Sequence, residues 1–237
     1  MAIKKPPTAS TSRGAANAAT KAAAKAPPKA STRAAPKAAS RTPPKAKPPP
    51  RPYHHGNLRA ELLAAADAVL AERGAQGLTL RDVARAAGVS HAAPYHHYAS
   101  LNELLAALAE HGFVILGDAM AQAVGVADTR ERLLRVAQAY VACARAHPQR
   151  FRLMFGPLLA SKDDHPALKA AAQRAFGFVL AAAYAHDKKH GADLALAGWS
   201  MSHGLSHLLI DGAFEGLPMA PQNPDTLARK LAERMFG

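Results

Sequence analysis

The stretch Thr79–Ser90, "TLRDVARAAGVS", decides the fold predicted for this chain. Thr79 followed three residues later by Asp82 is a variant of the capping box, so a helix is expected to begin there. Gly88 ends that helix after about two turns, and Ser90 is expected to cap the next one. Two short helices joined by a tight turn at glycine predict a helix-turn-helix.

Helical signals continue on both sides of this stretch. Upstream, apolar residues at helical spacing predict a first helix over 57–73. Downstream, a third helix is expected over 90–97, although Pro94 lacks an N–H group and is expected to delay its start. Ser100 and Glu103 then repeat the capping pattern at the start of a fourth, longer helix.

The remaining sequence is also helical in pattern, because no alternating β-branched run with hairpin punctuation occurs in it. Five further helices are predicted, near 128–147, 148–160, 165–186, 192–213 and 223–236. The predicted fold class is therefore all-α. Three regions are expected: a disordered tail over 1–52, a three-helix helix-turn-helix domain over 53–104, and a helical-bundle domain over 105–237.

The tail is strongly basic. It holds 12 of the 30 Lys and Arg residues of the chain and 11 of its 18 prolines, and it has no Asp or Glu. Such a composition cannot bury enough apolar surface to offset the entropy of ordering, so disorder is predicted. Its Lys, Ala and Pro content resembles that of linker-histone tails. The tail carries most of the formal net charge of +13, and the rest of the chain is nearly neutral.

Several protein classes are not expected. Lys and Pro recur so often in the tail that no apolar stretch suits a signal peptide, and no run is expected to approach a membrane span. A cytoplasmic, nucleoid-associated protein without a membrane partner or a cofactor is predicted. An enzyme is not expected, because the sequence has no glycine-rich phosphate loop, nucleophile elbow or spaced carboxylate pair.

Three histidines, His91, His96 and His97, crowd the segment after the turn and raise a choice between a metal site, a catalytic cluster and a contact surface. Metal binding needs imidazoles on one helix face with further ligands, and these three share no face and have no Cys or carboxylate at ligand spacing. Catalysis needs a nucleophile beside an oriented base, and Ser90 is better used as a helix cap. We therefore predict no metal or catalytic site and favour a surface that contacts DNA.

The stretch 57–104 resembles the DNA-binding module of the tetracycline-repressor (TetR) family. The resemblance rests on eleven positions at the spacing of the family: Thr79, Val83, Ala84, Ala87, Gly88, Val89, Ser90, Tyr95, Tyr98, Ser100 and Leu104. Downstream, "WSMSHGL" at Trp199–Leu205 is similar to the Trp…His-Gly signature of the subgroup with a WHG-type C-terminal domain. One departure is Leu101, which stands where the family usually has a phosphate-binding lysine.

The resemblance implies a ligand-responsive homodimeric repressor that binds a palindromic operator and is released by a small-molecule effector. The residues that it implies for contact with double-stranded DNA are Arg81, Ser90, His91, Ala92, Ala93, Tyr95, His96 and His97. In this interpretation, alanine methyl groups touch thymine methyl groups, and Tyr95 and His97 hold phosphates. Tyr98 is expected to pack in the core.

An effector pocket is predicted among aromatic, Met and His side chains of the second half: Tyr140, Phe151, Met154, Phe155, Phe178, Trp199 and His203. The alternative is that these side chains form plain core. Apolar faces rich in small residues, over 166–184 and 194–209, are predicted to form the dimer surface, unless they fill the core of their own protomer.

The predicted DNA-binding domain is poor in positive charge, since 53–104 has four Arg against five Asp and Glu residues. Lys and Arg supply non-specific DNA affinity by neutralising phosphates, so the tail is hypothesised to add this attraction by lying along the DNA backbone. Two alternatives stay open. The tail can be a solvated spacer, or the protein can be nucleoid-architectural and coat DNA through its tail without an operator.

Overall fold

A computed structural model describes residues 57–159, 164–218 and 223–236. Within these residues there are eight α-helices and no strand, which confirms the all-α prediction. The helices are α1 Leu58–Arg73, α2 Leu80–Ala87, α3 Leu101–Val124, α4 Thr129–Ala146, α5 Pro148–Phe155, α6 Pro166–His186, α7 Gly191–Ile210 and α8 Pro224–Met235. The disorder predicted for the tail over 1–52 falls outside the described residues.

The start and end of α2 are formed as the sequence predicts. The hydroxyl oxygen of Thr79 accepts a hydrogen bond from the backbone N–H of Asp82 at 3.2 Å, and the hydroxyl donates to the Asp82 carboxylate at 2.5 Å. At the other end Gly88 has φ 70° and ψ 27°, in the left-handed region that glycine adopts without steric cost. The tight turn of the helix-turn-helix is therefore present.

The third helix predicted over 90–97 is shorter than expected and is not an α-helix, although its start is delayed as Pro94 predicts. The structure has instead a 3₁₀-helix, Ala93–His96, in which the backbone N–H groups of Ala93, Tyr95 and His97 each bond to the carbonyl three residues earlier. Pro94 explains the difference, because it has no N–H to donate to the carbonyl of Ser90 and its ring crowds that carbonyl in an α-helix. Ser90 does not act as the N-cap either, since its backbone carbonyl, not its hydroxyl, accepts the bond from Ala93.

Helix α3 is the spine of the bundle and packs against α1, α4, α5 and α6. Its buried face includes Leu104, Leu108, Phe113, Leu116 and Met120. Residues 101–123 are long and apolar enough to cross a membrane, with a mean hydropathy of 1.5, so the expectation that no run approaches a span is wrong. More than half of an 18-residue window within this stretch, 56%, is buried inside the protein, as is typical of a core helix.

Helix α5 is shorter than the predicted segment 148–160 and ends at Phe155, because Gly156 and Pro157 interrupt the helix before a short 3₁₀ turn. It is joined to α1 by an ion pair. The Arg150 guanidinium, only 6% exposed as a residue, donates from Nε to one Asp67 oxygen at 2.9 Å and from Nη2 to the other. This bidentate pair ties the first helix of the helix-turn-helix to the bundle.

Helix α8 docks on α4 through charged groups. Arg229 donates to both carboxylate oxygens of Glu131, at 3.1 and 2.8 Å. The hydrogen bonds from Arg229 and then from Arg135 lower the pKa of Glu131 to about 2. Arg130 binds the backbone carbonyls of Glu233 and Phe236 at the end of the chain. Cations near the last carbonyls of a helix are favourable, so α4 also caps α8.

Candidate nucleic-acid surface and ligand cavity

The segment after the helix-turn-helix presents polar side chains to solvent. His91, Ala92, His96 and His97 are exposed, and Tyr95 is 60% exposed, which is high for so large a ring. Ser90, at the beginning of the segment, is exposed as well. These side chains are therefore accessible to a nucleic acid.

Two of the neighbouring residues point inward. Ala93 is 8% exposed, and the contact predicted between its methyl group and a base edge is not supported, because that methyl group packs inside. Tyr98 is 2% exposed and its hydroxyl donates to the backbone carbonyl of Arg59 at 3.3 Å, as expected for a core residue. Burial raises the pKa of Tyr98.

The arginines of this surface differ in how far they are already engaged. Asp82 forms ion pairs with Arg73 at 3.4 Å and with Arg85 at 3.1 Å. The hydrogen bond from Thr79 and then these guanidinium groups lower the pKa of Asp82, so it stays ionised. Arg81 is exposed and forms no ion pair or hydrogen bond with any residue that the structure describes. Its charge is therefore open to a phosphate.

A cavity of about 290 Å³ lies inside the bundle. It is bounded by helices α3 to α7, and its lining residues are Phe113, Leu116, Met120, Tyr140, Phe155, Ala172, Gln173, Ala175, Phe176, Val179 and Trp199. Three of the seven predicted pocket residues, Tyr140, Phe155 and Trp199, are among them. A largely apolar cavity with few polar groups is the usual form of a small-molecule site.

The other four predicted pocket residues lie around the cavity or away from it. The rings of Phe151 and His203 contact the ring of Tyr140 at centroid distances of 5.9 and 6.4 Å. Met154 is buried near Gly112, and Phe178 lies near Gly117 of α3. Phe151 and His203 therefore pack against the lining residue Tyr140 without lining the cavity themselves. Met154 and Phe178 do not line it either.

Tyr140, Trp199 and His203 form a hydrogen-bond chain at one end of the cavity. Trp199 Nε1 donates to the Tyr140 oxygen at 3.3 Å, and that oxygen lies 2.9 Å from His203 Nδ1. Burial raises the pKa of Tyr140, and burial together with the neighbouring His207 lowers the pKa of His203. Tyr140 therefore keeps its proton and is hydrogen-bonded to a neutral imidazole.

His203 and His207, whose ring centroids lie 4.8 Å apart, are the pair that has metal-ligand spacing on α7. In the part of the chain that the structure describes, they have no third ligand, and no group of three His, Cys, Asp or Glu side chains converges anywhere in it.

Comparison with known proteins agrees with this architecture. The family model of "Bacterial regulatory proteins, tetR family" matches residues 62–108, and that of "Tetracyclin repressor-like, C-terminal domain" matches residues 133–235. Together the two stretches cover more than half of the chain. The chain belongs to the TetR family. Its resemblance to the WHG subgroup stays a prediction.

Individual relatives of this protein differ in how much of the chain they match. A protein of unknown function from Rhodococcus sp. RHA1 is 32% identical, with a TM-score of 0.68 over 79% of this chain and 97% of that one. The HTH-type transcriptional repressor KstR2 of Mycobacterium tuberculosis is 47% identical over 47 residues, 20% of this chain, so the match spans about a quarter, 24%, of that curated relative.

Two further solved structures share the TetR fold at low identity. The structure of KstR2 is 20% identical, with a TM-score of 0.54 over 77% of this chain and 94% of its own. That of AibR, in complex with isovaleryl coenzyme A and operator DNA, is 16% identical, with a TM-score of 0.58 over 75% of this chain and 97% of its own.

The predicted dimer surface lies on residues of α6 and α7, and the structure shows which of their side chains face outward. On α6, four residues assigned to that surface are buried in their own protomer: Leu168, Ala175, Val179 and Ala183. For them the alternative of core packing is correct. Exposed side chains on α7 recur every four residues, as a stripe that consists of Leu196, Ser200, Gly204 and Leu208.

Sequence reasoning missed all the cavity residues on α3 and on α6. On α3, Phe113, Leu116 and Met120 follow helical spacing that is equally typical of plain core. On α6, Ala172 and Ala175 leave space because they are small, and Phe176 borders that space. The signal in the sequence is the coincidence of small and aromatic residues on one face of α6, a pattern that is equally typical of a dimer surface.

Proposed function

We propose that this TetR-family protein is a ligand-responsive homodimeric transcriptional repressor that binds a palindromic DNA operator. Its proposed contacts are Arg81 and the exposed side chains His91, Ala92, Tyr95, His96 and His97. The observation that carries the proposal is the accessibility of these side chains directly after the turn of a helix-turn-helix. Two relatives support it: KstR2 is named a transcriptional repressor, and AibR is described with operator DNA and a coenzyme A thioester. The cytoplasm is the compartment that this function requires.

Base reading falls to the histidines in this proposal. His91 and His96 are exposed and can donate or accept hydrogen bonds at base edges in the major groove. Tyr95, His97 and Arg81 are assigned to phosphates, which position the protein on the duplex. The 3₁₀-helix Ala93–His96 is shorter and more tightly wound than an α-helical recognition helix. We therefore expect it to make few contacts with the operator.

A palindromic operator requires two DNA-binding domains about 34–36 Å apart, and therefore a dimer. The stripe on α7 fits this role, because side chains at i and i+4 spacing form the ridges through which helices pack. At its centre Gly204 has nothing within 4 Å of a Cβ placed there, so a partner helix can approach closely. Replacing Gly204 by Gln is expected to leave the protomer folded and to shift sedimentation from dimer to monomer. An unchanged dimer in G204Q would contradict this surface.

Coupling between ligand and DNA is proposed to pass through α5. Phe155 of this short helix lines the cavity, and Phe151 contacts the lining residue Tyr140. Arg150 of the same helix donates hydrogen bonds to Asp67 of α1. A ligand that displaces α5 therefore also displaces the helix-turn-helix. This provides the differential contact that any ligand needs to shift a conformational equilibrium.

The DNA proposal is tested by selecting sequences from a random pool and comparing the selected DNA with a scrambled duplex at one salt concentration. Specific binding is expected to exceed non-specific binding by about 10³-fold or more. R81A and H96A are expected to weaken operator binding, whereas R174A, which removes an exposed arginine from α6, is the matched control. A specificity ratio near one would contradict an operator and favour the nucleoid-architectural alternative.

The contribution proposed for the basic tail needs a separate test. Removing residues 1–50 is expected to flatten the salt dependence of operator affinity, by about 0.9 in log–log slope for each phosphate that the tail neutralises in the full-length protein. The sequence selected from the random pool is expected to stay the same. An unchanged slope would leave the tail as a spacer.

A further inference from the structure

The lining of the cavity is specific enough to indicate a class of ligand. We propose that the cavity binds an uncharged aromatic compound of roughly ten non-hydrogen atoms whose single polar group meets the amide of Gln173. This inference rests on the proposed function only in taking the bound compound to be the effector. Each part of it follows from a different property of the lining.

The ligand is uncharged because the cavity offers nothing to a charge. None of the eleven lining residues that the structure describes is Asp, Glu, Lys, Arg or His. Beside the lining positions, Asp118 of α3 and Arg174 of α6 pair with each other at 3.1 Å, so they present no net charge. Burial of an unpaired carboxylate or ammonium group costs far more than contact with apolar walls returns.

The ligand is aromatic because five of the eleven lining side chains are aromatic rings. Four of them meet in two edge-to-face pairs, with centroid distances of 5.3 Å for Phe113 and Phe155 and 5.4 Å for Phe176 and Trp199. Such pairs leave ring edges and faces toward the space between them. A flat ring gains the same offset or edge-to-face contacts, worth about 0.5–1.5 kcal/mol for each pair beyond area burial.

The polar group of the ligand is assigned to Gln173 because the other polar side chains are engaged. The Trp199 N–H donates to Tyr140, and the Tyr140 hydroxyl is hydrogen-bonded to His203 Nδ1. Both groups are therefore already engaged within the protein. Gln173 is exposed on α6 at the rim, where its amide can both donate and accept. The ring is therefore expected to enter first, with its polar substituent at the mouth.

The size follows from the volume. At about 30 Å³ for each water-sized group, a cavity of about 290 Å³ holds roughly ten non-hydrogen atoms. Among simple probes, 4-propylphenol has this size, is neutral at pH 7 and carries one hydroxyl group. Two analogues serve for comparison: 4-propylbenzoate carries a negative charge on a slightly larger polar group, and 4-propylcyclohexanol lacks the aromatic ring.

The experiment uses the full-length protein and its single tryptophan, Trp199, as an internal fluorescent reporter in the cavity wall. Titration with 4-propylphenol is expected to change the Trp199 emission with a Kd at least tenfold lower than that of either analogue. Equal or tighter binding of 4-propylbenzoate would overturn the uncharged ligand, and equal binding of 4-propylcyclohexanol would overturn the aromatic one. Tight binding of isovaleryl coenzyme A without any response to 4-propylphenol would overturn both.

Variants locate the binding and separate the two proposals. A172L fills the cavity and is expected to abolish the response, whereas A142L adds the same side chain at an exposed position of α4 and is expected to keep it. Q173L is expected to raise the Kd at least fivefold, and an unchanged Kd would overturn the assigned polar contact. If 4-propylphenol binds but does not release operator DNA, the ligand class stands and the effector role fails. If operator DNA binds but 4-propylphenol does not, the ligand class fails alone.

Discussion

Arg150 is almost fully buried at the joint between α1 and α5, and its Nη1 atom has no hydrogen-bond partner among the described residues. Its charge is therefore compensated chiefly by Asp67. We expect D67N to lower the free energy of unfolding by about 2 to 3 kcal/mol, below the value for a fully buried pair because Asp67 is 33% exposed.

The control for this prediction is D118N, which breaks the exposed pair between Asp118 and Arg174. An exposed pair contributes less than about 1 kcal/mol. Urea unfolding of the two variants measures the difference. Equal losses in D67N and D118N would show that burial of Arg150 does not make its partner important.

Tyr140 links two other side chains at the cavity, so its hydroxyl is expected to matter for stability. Y140F removes the acceptor for the Trp199 N–H and the hydrogen bond to His203 Nδ1, and we expect a loss of about 1–3 kcal/mol, measured by thermal unfolding. Y184F makes the same change at a tyrosine that is 43% exposed and is expected to be neutral. A stable Y140F protein with unchanged Trp199 emission would contradict the hydrogen-bond chain.

At the scale of the element, the turn between α2 and the 3₁₀-helix depends on Gly88. Its φ of 70° lies in the left-handed region, although a Cβ there would meet nothing within 4 Å. G88A is therefore expected to cost about 1–2 kcal/mol from backbone strain alone. Gly125 also has open space but a φ of −69°, so G125A is expected to stabilise by about 0.4–1 kcal/mol. Chemical denaturation checks both, and effects of equal sign would refute the strain at Gly88.

Local signals predicted most elements, because they act between neighbours in sequence. Thr79 and Ser100 each accept a hydrogen bond from the backbone N–H three residues on, as their capping patterns predict. The prediction for segment 90–97 was less accurate because two local rules oppose each other there. Small residues and a cap favoured an α-helix, but Pro94 removed the N–H that its fourth position needed, and the segment folded as a 3₁₀-helix.

The cavity was only partly predictable for a different reason. Aromatic character singled out Tyr140, Phe155 and Trp199, but α3 contributes Phe113 through a crossing with α5 that no local pattern specifies. Met154 was predicted to line the cavity but does not, because its side chain packs against Gly112, where α3 comes close to α5. Which faces of distant helices meet is decided by packing, so the site required the structure.

At the scale of the whole molecule, the docking of α8 is expected to depend on pH. The pKa of Glu131 is lowered from 4.5 to about 2, so its contribution is fully present above pH 4.5 and is lost as the pH falls toward 2. Hydrogen exchange of the α8 amides is therefore expected to accelerate over that range. E131Q is expected to accelerate exchange in α8 at neutral pH and to remove most of the acid effect. Exchange in E131Q that matches the wild type would contradict this role.

Gly112 has a consequence for the genetics of this protein. A Cβ at that position would lie 2.6 Å from Met154 Sδ and 3.0 Å from the Arg150 stem, so any substitution requires the side chains of Met154 and Arg150 to move. A mutagenesis screen for regulators that stay permanently bound to DNA or permanently off it is expected to collect changes at codon 112. Codon 125, where a new side chain meets nothing within 4 Å, is expected to tolerate amino-acid substitutions without a phenotype in the same screen.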